Sequence, residues 1–313
     1  MLVARPHGRG FRVIDAFSRI TRLGEGLTAS GALSAAAMGR TVDALAACAE
    51  KMVRRGVTRA RHVATEACRQ ATNCDHFLSR VAAETGIEIE IITAEEEAGL
   101  ALAGCAALLD RRLSDALVFD IGGGSTELMW VRVERGRPPR IEAFTSLPIG
   151  VVSLAEQRAG DLGGIAGYRR VLGEVTARFA PFEERCRLRR SIRAHSLQVL
   201  GTSGTVTTLG GVHLGLPRYE RAAVDGLLMP FHAIHAVSRR LAAMDHAERA
   251  AQPCVGPERA DLVVAGCVIL EAICNLWPVG RLRVADRGLR EGMLLGMMRA
   301  DAFSPHALAS AAE

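Results

Sequence analysis

The stretch LVFDIGGGSTEL, residues 117–128, decides how the rest of the sequence is read. An apolar run leads into Asp120, Gly122, Gly123 and Gly124 follow, and Ser125, Thr126 and Glu127 stand just beyond. A short apolar run closed by glycines is the pattern of a buried strand running into a loop. Consecutive glycines open backbone angles closed to other residues, so successive N–H groups can converge into a nest for phosphate oxygens, where a side chain would keep the anion away. Asp120, at the carboxyl end of the strand, is placed to hold Mg²⁺ or a metal-bound water over that phosphate, with Glu127 close enough to help. Composition alone also allows a glycine-rich hairpin with a solvated acid.

A second loop of the same chemistry occurs in LGTSGTVTTL, residues 200–209, where Gly201 and Gly204 flank Ser203 ahead of an apolar segment. This places the loop at a helix N-terminus, where unpaired N–H groups and the helix dipole favour anions. Taken singly it is a tight strand-to-helix turn with Thr205 as cap. The run Glu95-Glu96-Glu97 opens the helix that follows IEIEIIT. Acids belong at a helix start for electrostatic reasons, yet one of the three is able to face a cleft and take a proton from water. Thr65 and Arg69 of ATEACR lie just after a strand, and Arg22 lies in TRLGEGL. Either arginine is able to clamp a phosphate, and for either alone a surface role is the plainer reading.

Working outward, strand and helix patterns alternate along the whole chain, the signature of an α/β protein. FRVIDAFSRI reads as a strand paired with residues 1–4 across Pro6-His7-Gly8-Arg9-Gly10, and a helix runs from about Ser34 to Arg55. A strand at 60–67, a helix at 74–84, a strand at 87–93 and the helix opened by the acidic run follow. From about Leu113 the order begins again: LVFDIG, a hairpin TELMWVRVERGRPPRIEAFTSL, a helix at 168–184, SLQVLGTSGT, helices at 231–244 and 260–276, the strand RLRVAD and the helix GLREGMLLGMM. This repeat predicts two domains, 1–112 and 113–313, around a cleft, with the last helix packing back on the first domain. MLVARPHGRGFRVIDAF in the first half matches LMWVRVERGRPPRIEAF in the second, with Met1 near Met129, whereas nothing in the first half corresponds to LVFDIGGGST. The expectation is that this chain starts inside its first domain, shortened by roughly a dozen or more residues.

The 313 residues are 49% hydrophobic and 23% charged, a globular composition able to bury a sizeable core. No apolar run reaches the roughly 18–20 residues of a membrane span, and the N-terminus lacks a signal-peptide pattern, so a soluble, cytoplasmic protein is expected. The eight cysteines form no C-x-x-C pair and no zinc spacing, and read as reduced, buried small hydrophobes. Formal charge is +5, carried almost wholly by arginine since Lys51 is the only lysine, which suits an anionic substrate. Aromatic content of 4%, with no basic run interleaved with stacking rings, argues against nucleic acid.

In order, TRLGEGL, ATEACR, TAEEEAGLALAG, DIGGGSTEL, GTSGT and ADRGLREGML resemble the exopolyphosphatase and guanosine pentaphosphate phosphohydrolase (Ppx/GppA) family over essentially the whole chain. The resemblance implies two ribonuclease-H-like domains of the actin, Hsp70 and sugar-kinase superfamily around a cleft, and Mg²⁺-dependent hydrolysis of terminal phosphoanhydride bonds of polyphosphate or guanosine pentaphosphate. It places the general base on Glu97 with Glu96 beside it, a phosphate motif on Asp120, Gly122, Gly123, Gly124, Ser125 and Glu127, an arginine on Arg69, and distal-loop residues on Gly201, Ser203 and Gly204. By the same likeness a homodimer is plausible. The family's first phosphate loop, Asp-x-Gly-x-x-Ser, is absent here, as is the C-terminal HD-type domain of its long members. Two other readings stay open: a protein that binds polyphosphate or a guanosine alarmone without cleaving it, and a sugar kinase or chaperone-type ATPase.

Overall fold

The run expected as a buried strand is the centre of a six-stranded sheet. The structure is a computed structural model describing residues 1–302 except 9, 159 and 163, so Arg9 of the expected first turn and the stretch 303–313 lie outside the described residues. Along them the strands are β1 (Leu2–His7), β2 (Gly10–Ala16), β3 (Val63–Ala64), β4 (Glu90–Ile91), β5 (Asp115–Ile121), β6 (Thr126–Arg132), β7 (Arg140–Leu147), β8 (Leu197–Thr202), β9 (Leu228–Pro230) and β10 (Arg281–Ala285). The chain divides into two compact units. Among the described residues the first comprises Met1–Leu23, Ser30–Cys105 and 287–302; the second comprises Gly24–Ala29 and Ala106–Asp286.

In the second unit the strand order is β7-β6-β5-β8-β10-β9. β5 is antiparallel to β6 and parallel to β8, and β10 continues parallel to β8. A strand with neighbours on both edges and packing on both faces needs a nearly continuous apolar sequence, and β5 is buried at every position except Asp120. Leu117, Phe119 and Ile121 join one core with the helices Ile165–Cys186, Phe231–Ala243 and Val263–Leu276. That core closes around Trp277, whose ring meets Phe182 edge-on at 6.2 Å and whose Nε1 donates to Glu183 at 2.6 Å. This is the ribonuclease-H-like sheet.

The first unit repeats parts of that order. β1 and β2 form an antiparallel hairpin, and β3 pairs parallel with β4. The hairpins match in detail: a register shift falls between Val3 and Ala4 in one and between Trp130 and Val131 in the other. The strands expected over 60–67 and 87–93 shrink to two paired residues each, because among the described residues β3 and β4 bond only to each other, with no second neighbour to extend the ladder. Helix Ala35–Arg54 starts at Ser34, whose Oγ accepts from the Ala37 amide at 3.1 Å. Helix Cys74–Thr85 stops at Gly86 in the left-handed conformation. Helix Ala94–Cys105 packs against the last helix, Leu289–Ala302, so closely that a Cβ on Gly104 or Gly292 would collide with the facing backbone. No helix among the described residues is long and apolar enough to cross a membrane.

Candidate active site

In the second unit the candidate residues form a row across four strands. The register sets Ser146 of β7 opposite Glu127 of β6, Glu127 opposite Asp120 of β5, and Asp120 opposite Thr202 of β8. Residues directly opposite share a sheet face, so this polar row lies on the side away from Phe119 and Leu128. Glu127 is only 2% exposed, and Ser125 Oγ and Ser146 Oγ each donate to its Oε1 at 2.7 Å. Two hydroxyl donors offset the desolvation of a buried carboxylate and fix its orientation. Asp120, half-buried, closes the strand beside it.

The glycine loop owes its form to space and not to unusual backbone angles. None of Gly122, Gly123 and Gly124 has a positive φ, contrary to expectation. Their carbonyls are instead clasped by the start of helix Val151–Gln157. Val151 N donates to Gly122 O and Val152 N to Gly123 O, both at 2.9 Å, while Ser153 Oγ accepts from Gly150 N at 3.0 Å. Gly122 N is used internally, donating to Ser125 O at 2.8 Å. With the carbonyls pulled towards the helix, the N–H groups of Gly123 and Gly124 meet no acceptor among the described residues. Gly150 makes the clasp possible: a Cβ there would lie under 3.0 Å from the backbone of both Gly123 and Gly124.

The second loop divides between two tasks. Gly201 lies inside β8, not in the loop, and a Cβ on it would enter the ring of Phe119, so packing accounts for this glycine. Ser203 caps helix Gly204–His213, its Oγ accepting from Val206 N at 3.2 Å, and it holds a φ of 152° that residues with side chains rarely adopt. Ser203, not Thr205, is the cap. The amides of Gly204 and Thr205 have no acceptor among the described residues, as the first turn of a helix dictates. Beside them lies the half-buried guanidinium of Arg259, its Nε 3.8 Å from where a Gly204 Cβ would stand, with no hydrogen-bonded or ionic partner among the described residues.

In the first unit Arg69, on helix Glu66–Gln70, joins two carboxylates. Nη1 donates to Glu97 Oε2 and to the Ile92 carbonyl, each at 2.9 Å; Nε and Nη2 donate to Glu66 Oε2 at 3.2 and 2.9 Å. The Arg69, Glu66 and Glu97 side chains are only 18%, 18% and 15% exposed. Burial alone would lower the Arg69 pKa; the bonds to Glu66 and Glu97 overcome it and raise the value. The expected phosphate clamp is thus engaged chiefly in fixing Glu97, with one Nη2 hydrogen left over. Glu97 lies in the first turn of helix Ala94–Cys105, which Thr93 opens by accepting from Glu96 N at 3.1 Å. Glu96 itself turns to Arg61. Arg22 has a left-handed backbone, φ 51°, and Arg40 Nε donates to the neighbouring Thr21 carbonyl at 3.0 Å.

Both units thus present their candidate residues just after the carboxyl ends of parallel strands, the usual position for ligands in α/β sheets. The sequence matches the Ppx/GppA phosphatase family over residues 2–301. The chain belongs to that family. Among its relatives, the Mycobacterium tuberculosis protein named exopolyphosphatase 2 is 30% identical over 297 residues, covering 90% of this chain and 88% of that one. The Ppx/GppA family member of Aquifex aeolicus has a crystal structure matching 97% of this chain and 94% of its own, at 26% identity and a TM-score of 0.74. An exopolyphosphatase structure from Cytophaga hutchinsonii has the same fold, with a TM-score of 0.84 at 22% identity, covering 96% of this chain and 94% of its own. Membership in the Ppx/GppA family makes the protein a phosphatase.

No group of three His, Cys, Asp or Glu side chains gathers among the described residues as a ready-made metal cage. Mg²⁺ does not need one, since it is commonly held by one or two carboxylates with water and substrate phosphate supplying the rest. Asp120, at the strand end beside Glu127 and Thr202, fits that donor set. Sequence reasoning passed over Glu66, Ser146, Gly150 and Arg259. Glu66 was within reach, since a carboxylate three residues before Arg69 on a helix faces it. Ser146 depends on strand register, and nothing in the sequence marks Arg259.

Proposed function

We propose that the protein is an exopolyphosphatase, hydrolysing the terminal phosphoanhydride bond of inorganic polyphosphate. The observation that carries this reading is the pair of acceptor-less amides at Gly123 and Gly124, set beside the Asp120–Glu127 row. Such amides suit a terminal phosphate, because fixed main-chain dipoles stabilise charge with no reorganisation during reaction. Likeness to a relative named exopolyphosphatase favours polyphosphate over guanosine pentaphosphate.

In this mechanism the amides of Gly123 and Gly124 hold oxygens of the terminal phosphoryl group, and those of Gly204 and Thr205, with Arg259, hold oxygens of the chain. Glu97 accepts a proton from a water molecule as its oxygen attacks phosphorus. The new P–O bond forms as the bridging P–O bond breaks, and the shortened chain departs with the electron pair on its bridging oxygen, leaving the attacked group as free phosphate. Arg69 keeps the Glu97 carboxylate aimed through Nη1, and its remaining Nη2 hydrogen is available to a substrate oxygen. Asp120 would hold Mg²⁺, whose chemistry there is neutralisation of phosphate charge. Glu127, pinned by Ser125 and Ser146, supports Asp120 from the next strand.

Phosphate release from polyphosphate of defined length, with guanosine pentaphosphate as competitor, tests the reading. Glu97→Gln should lower turnover by about 10²-fold or more with folding and binding intact, the contribution expected of a general base. Asp120→Asn should move the Mg²⁺ titration to higher concentration. Saturable binding without turnover in the wild type would identify a polyphosphate binder instead.

A further inference from the structure

The end of the second unit's sheet that lies away from the candidate site gathers arginines without acids. Asp115 opens β5 opposite Arg132 and beside Leu197 of β8, about 16 Å along the strand from Asp120. Two segments meet over Asp115. Ser196, just after helix Arg189–Arg193, donates through Oγ to Asp115 Oδ2 at 3.4 Å, and its amide donates to Ser191 O at 2.9 Å. Ser114 O accepts from Val133 N at 2.8 Å, where the turn joining β6 to β7 begins. Arg111 Nη1 stitches that turn by donating to the carbonyls of Glu134 and Arg137 at 3.2 and 2.6 Å.

The acids of this end are already matched: Asp110 with Arg112, Asp115 with Arg132 and Glu134 with Arg137. Arg111, Arg135, Arg187, Arg190 and Arg193 are exposed, and none has a carboxylate partner among the described residues. Glu184 is the single acid of residues 184–196. The formal charge of the whole chain is only +5, so a group of this size is a local excess that raises the potential at one end. One member is held under strain. Arg187 caps helix Ile165–Cys186 in the left-handed conformation, φ 52°, where glycine would sit freely. An arginine thus stands where stability alone favours glycine, the kind of outlier that points to function.

Residues 110–115, 131–140 and 185–196 contain no Phe, Tyr or Trp, so nucleic-acid bases would find no ring to stack on. Exposed arginines hold separate single anions weakly, whereas one flexible chain with a charge on every unit engages several at once. We propose that this surface is a second polyanion site, holding the far part of a long polyphosphate chain while the chain's end occupies the candidate site. The inference rests on the reading of polyphosphate as the substrate.

The test compares end-labelled long-chain polyphosphate with tripolyphosphate, which is too short to touch both places, on the full chain. Binding is measured without Mg²⁺ and turnover with it. Arg190→Glu with Arg193→Glu should weaken long-chain binding at least tenfold and raise KM for the long chain alike, with kcat and all tripolyphosphate kinetics unchanged. Arg187→Gly should raise Tm by about 2–4 °C yet weaken long-chain binding about threefold, separating the arginine's role in binding from stability. Arg5→Glu with Arg12→Glu, the same charge change on exposed positions of β1 and β2, should leave binding within about twofold. Unchanged long-chain binding in the Arg190/Arg193 variant, equal losses for tripolyphosphate or in the Arg5/Arg12 variant, or displacement of polyphosphate by single-stranded DNA at matched charge would overturn the proposal. Loss of binding in a protein that releases no phosphate would sink the hydrolytic reading and leave this site standing; turnover with unaltered long-chain binding would do the reverse.

Discussion

Gly150→Ala probes the clasp on the glycine loop with a single methyl group. Gly150 has a φ of −123° and ψ of 174°, extended backbone open to any residue, so alanine adds bulk and no backbone strain. The new Cβ would meet Gly123 O, Gly123 C and Gly124 N, all under 3.0 Å, where real contacts need about 3.5 Å or more. The loop or the start of helix Val151–Gln157 must therefore retreat by on the order of 1 Å, stretching the two 2.9 Å bonds that draw the carbonyls of Gly122 and Gly123 inward. Overpacking of this kind costs about 1–3 kcal/mol, a fall in Tm of several degrees for a unit of this size. A 1 Å misplacement of phosphate-holding amides should lower kcat/KM about 10²-fold. Phosphate release and thermal denaturation measured together separate the two effects. Gly173→Ala is the control: exposed within helix Ile165–Cys186, with nothing within 4 Å of its Cβ, it should raise stability by about 0.5–1 kcal/mol and leave turnover alone. If Gly150→Ala lost stability while keeping wild-type kcat/KM, the loop would not be the phosphate cradle.

Arg69→Ala strips the shared cation from Glu66 and Glu97. The cost should be about 2 kcal/mol, below the 3–5 typical of a fully buried pair because water reaches these side chains in part, and kcat should fall far more than KM rises; Arg69→Lys, lacking the fork, should not rescue it. Raising pH should destabilise the fold from about pH 8.5. Burial, aided by Cys74, pushes the Cys68 thiol up to about 12, and burial does the same to Cys267. Unfolded thiols ionise near 8.5, so between the two values the unfolded chain has released protons that the folded chain retains, and stability falls as pH rises. Each such thiol contributes at most about 1.4 kcal/mol per pH unit, so Tm measured in reductant should drop by several degrees between pH 8 and 10; a flat profile would show these thiols are not buried as described.

Much of the fold could be read from local pattern. β5 announced itself because a strand buried on both faces must be apolar throughout, and the duplication showed because hairpin and parallel pair recur in one order. The acids Asp120, Glu127 and Glu97 were visible as residues at strand and helix ends. What the sequence hid was long-range. The clasp joins residues more than 25 positions apart, and Ser146 reaches Glu127 only through the register of β6 and β7. Gly122, Gly123 and Gly124 looked like a demand for unusual angles, yet what they meet is closeness to a helix start. Gly201 looked like part of a phosphate loop, while its neighbour Phe119 explains it. Arg69 looked like a clamp, and its bonds to Glu66 and Glu97, which fix the latter, were overlooked.

The polar row Ser146–Glu127–Asp120–Thr202 draws one member from each of four strands, so it doubles as a gauge of correct assembly. Sliding β5 by a single residue would swing Asp120 into the apolar interior and bring Phe119 out among hydroxyls. A misaligned sheet would thus be penalised twice, once by a stranded charge and once by a wetted ring, which ties fidelity of strand pairing to the same side chains that line the candidate site.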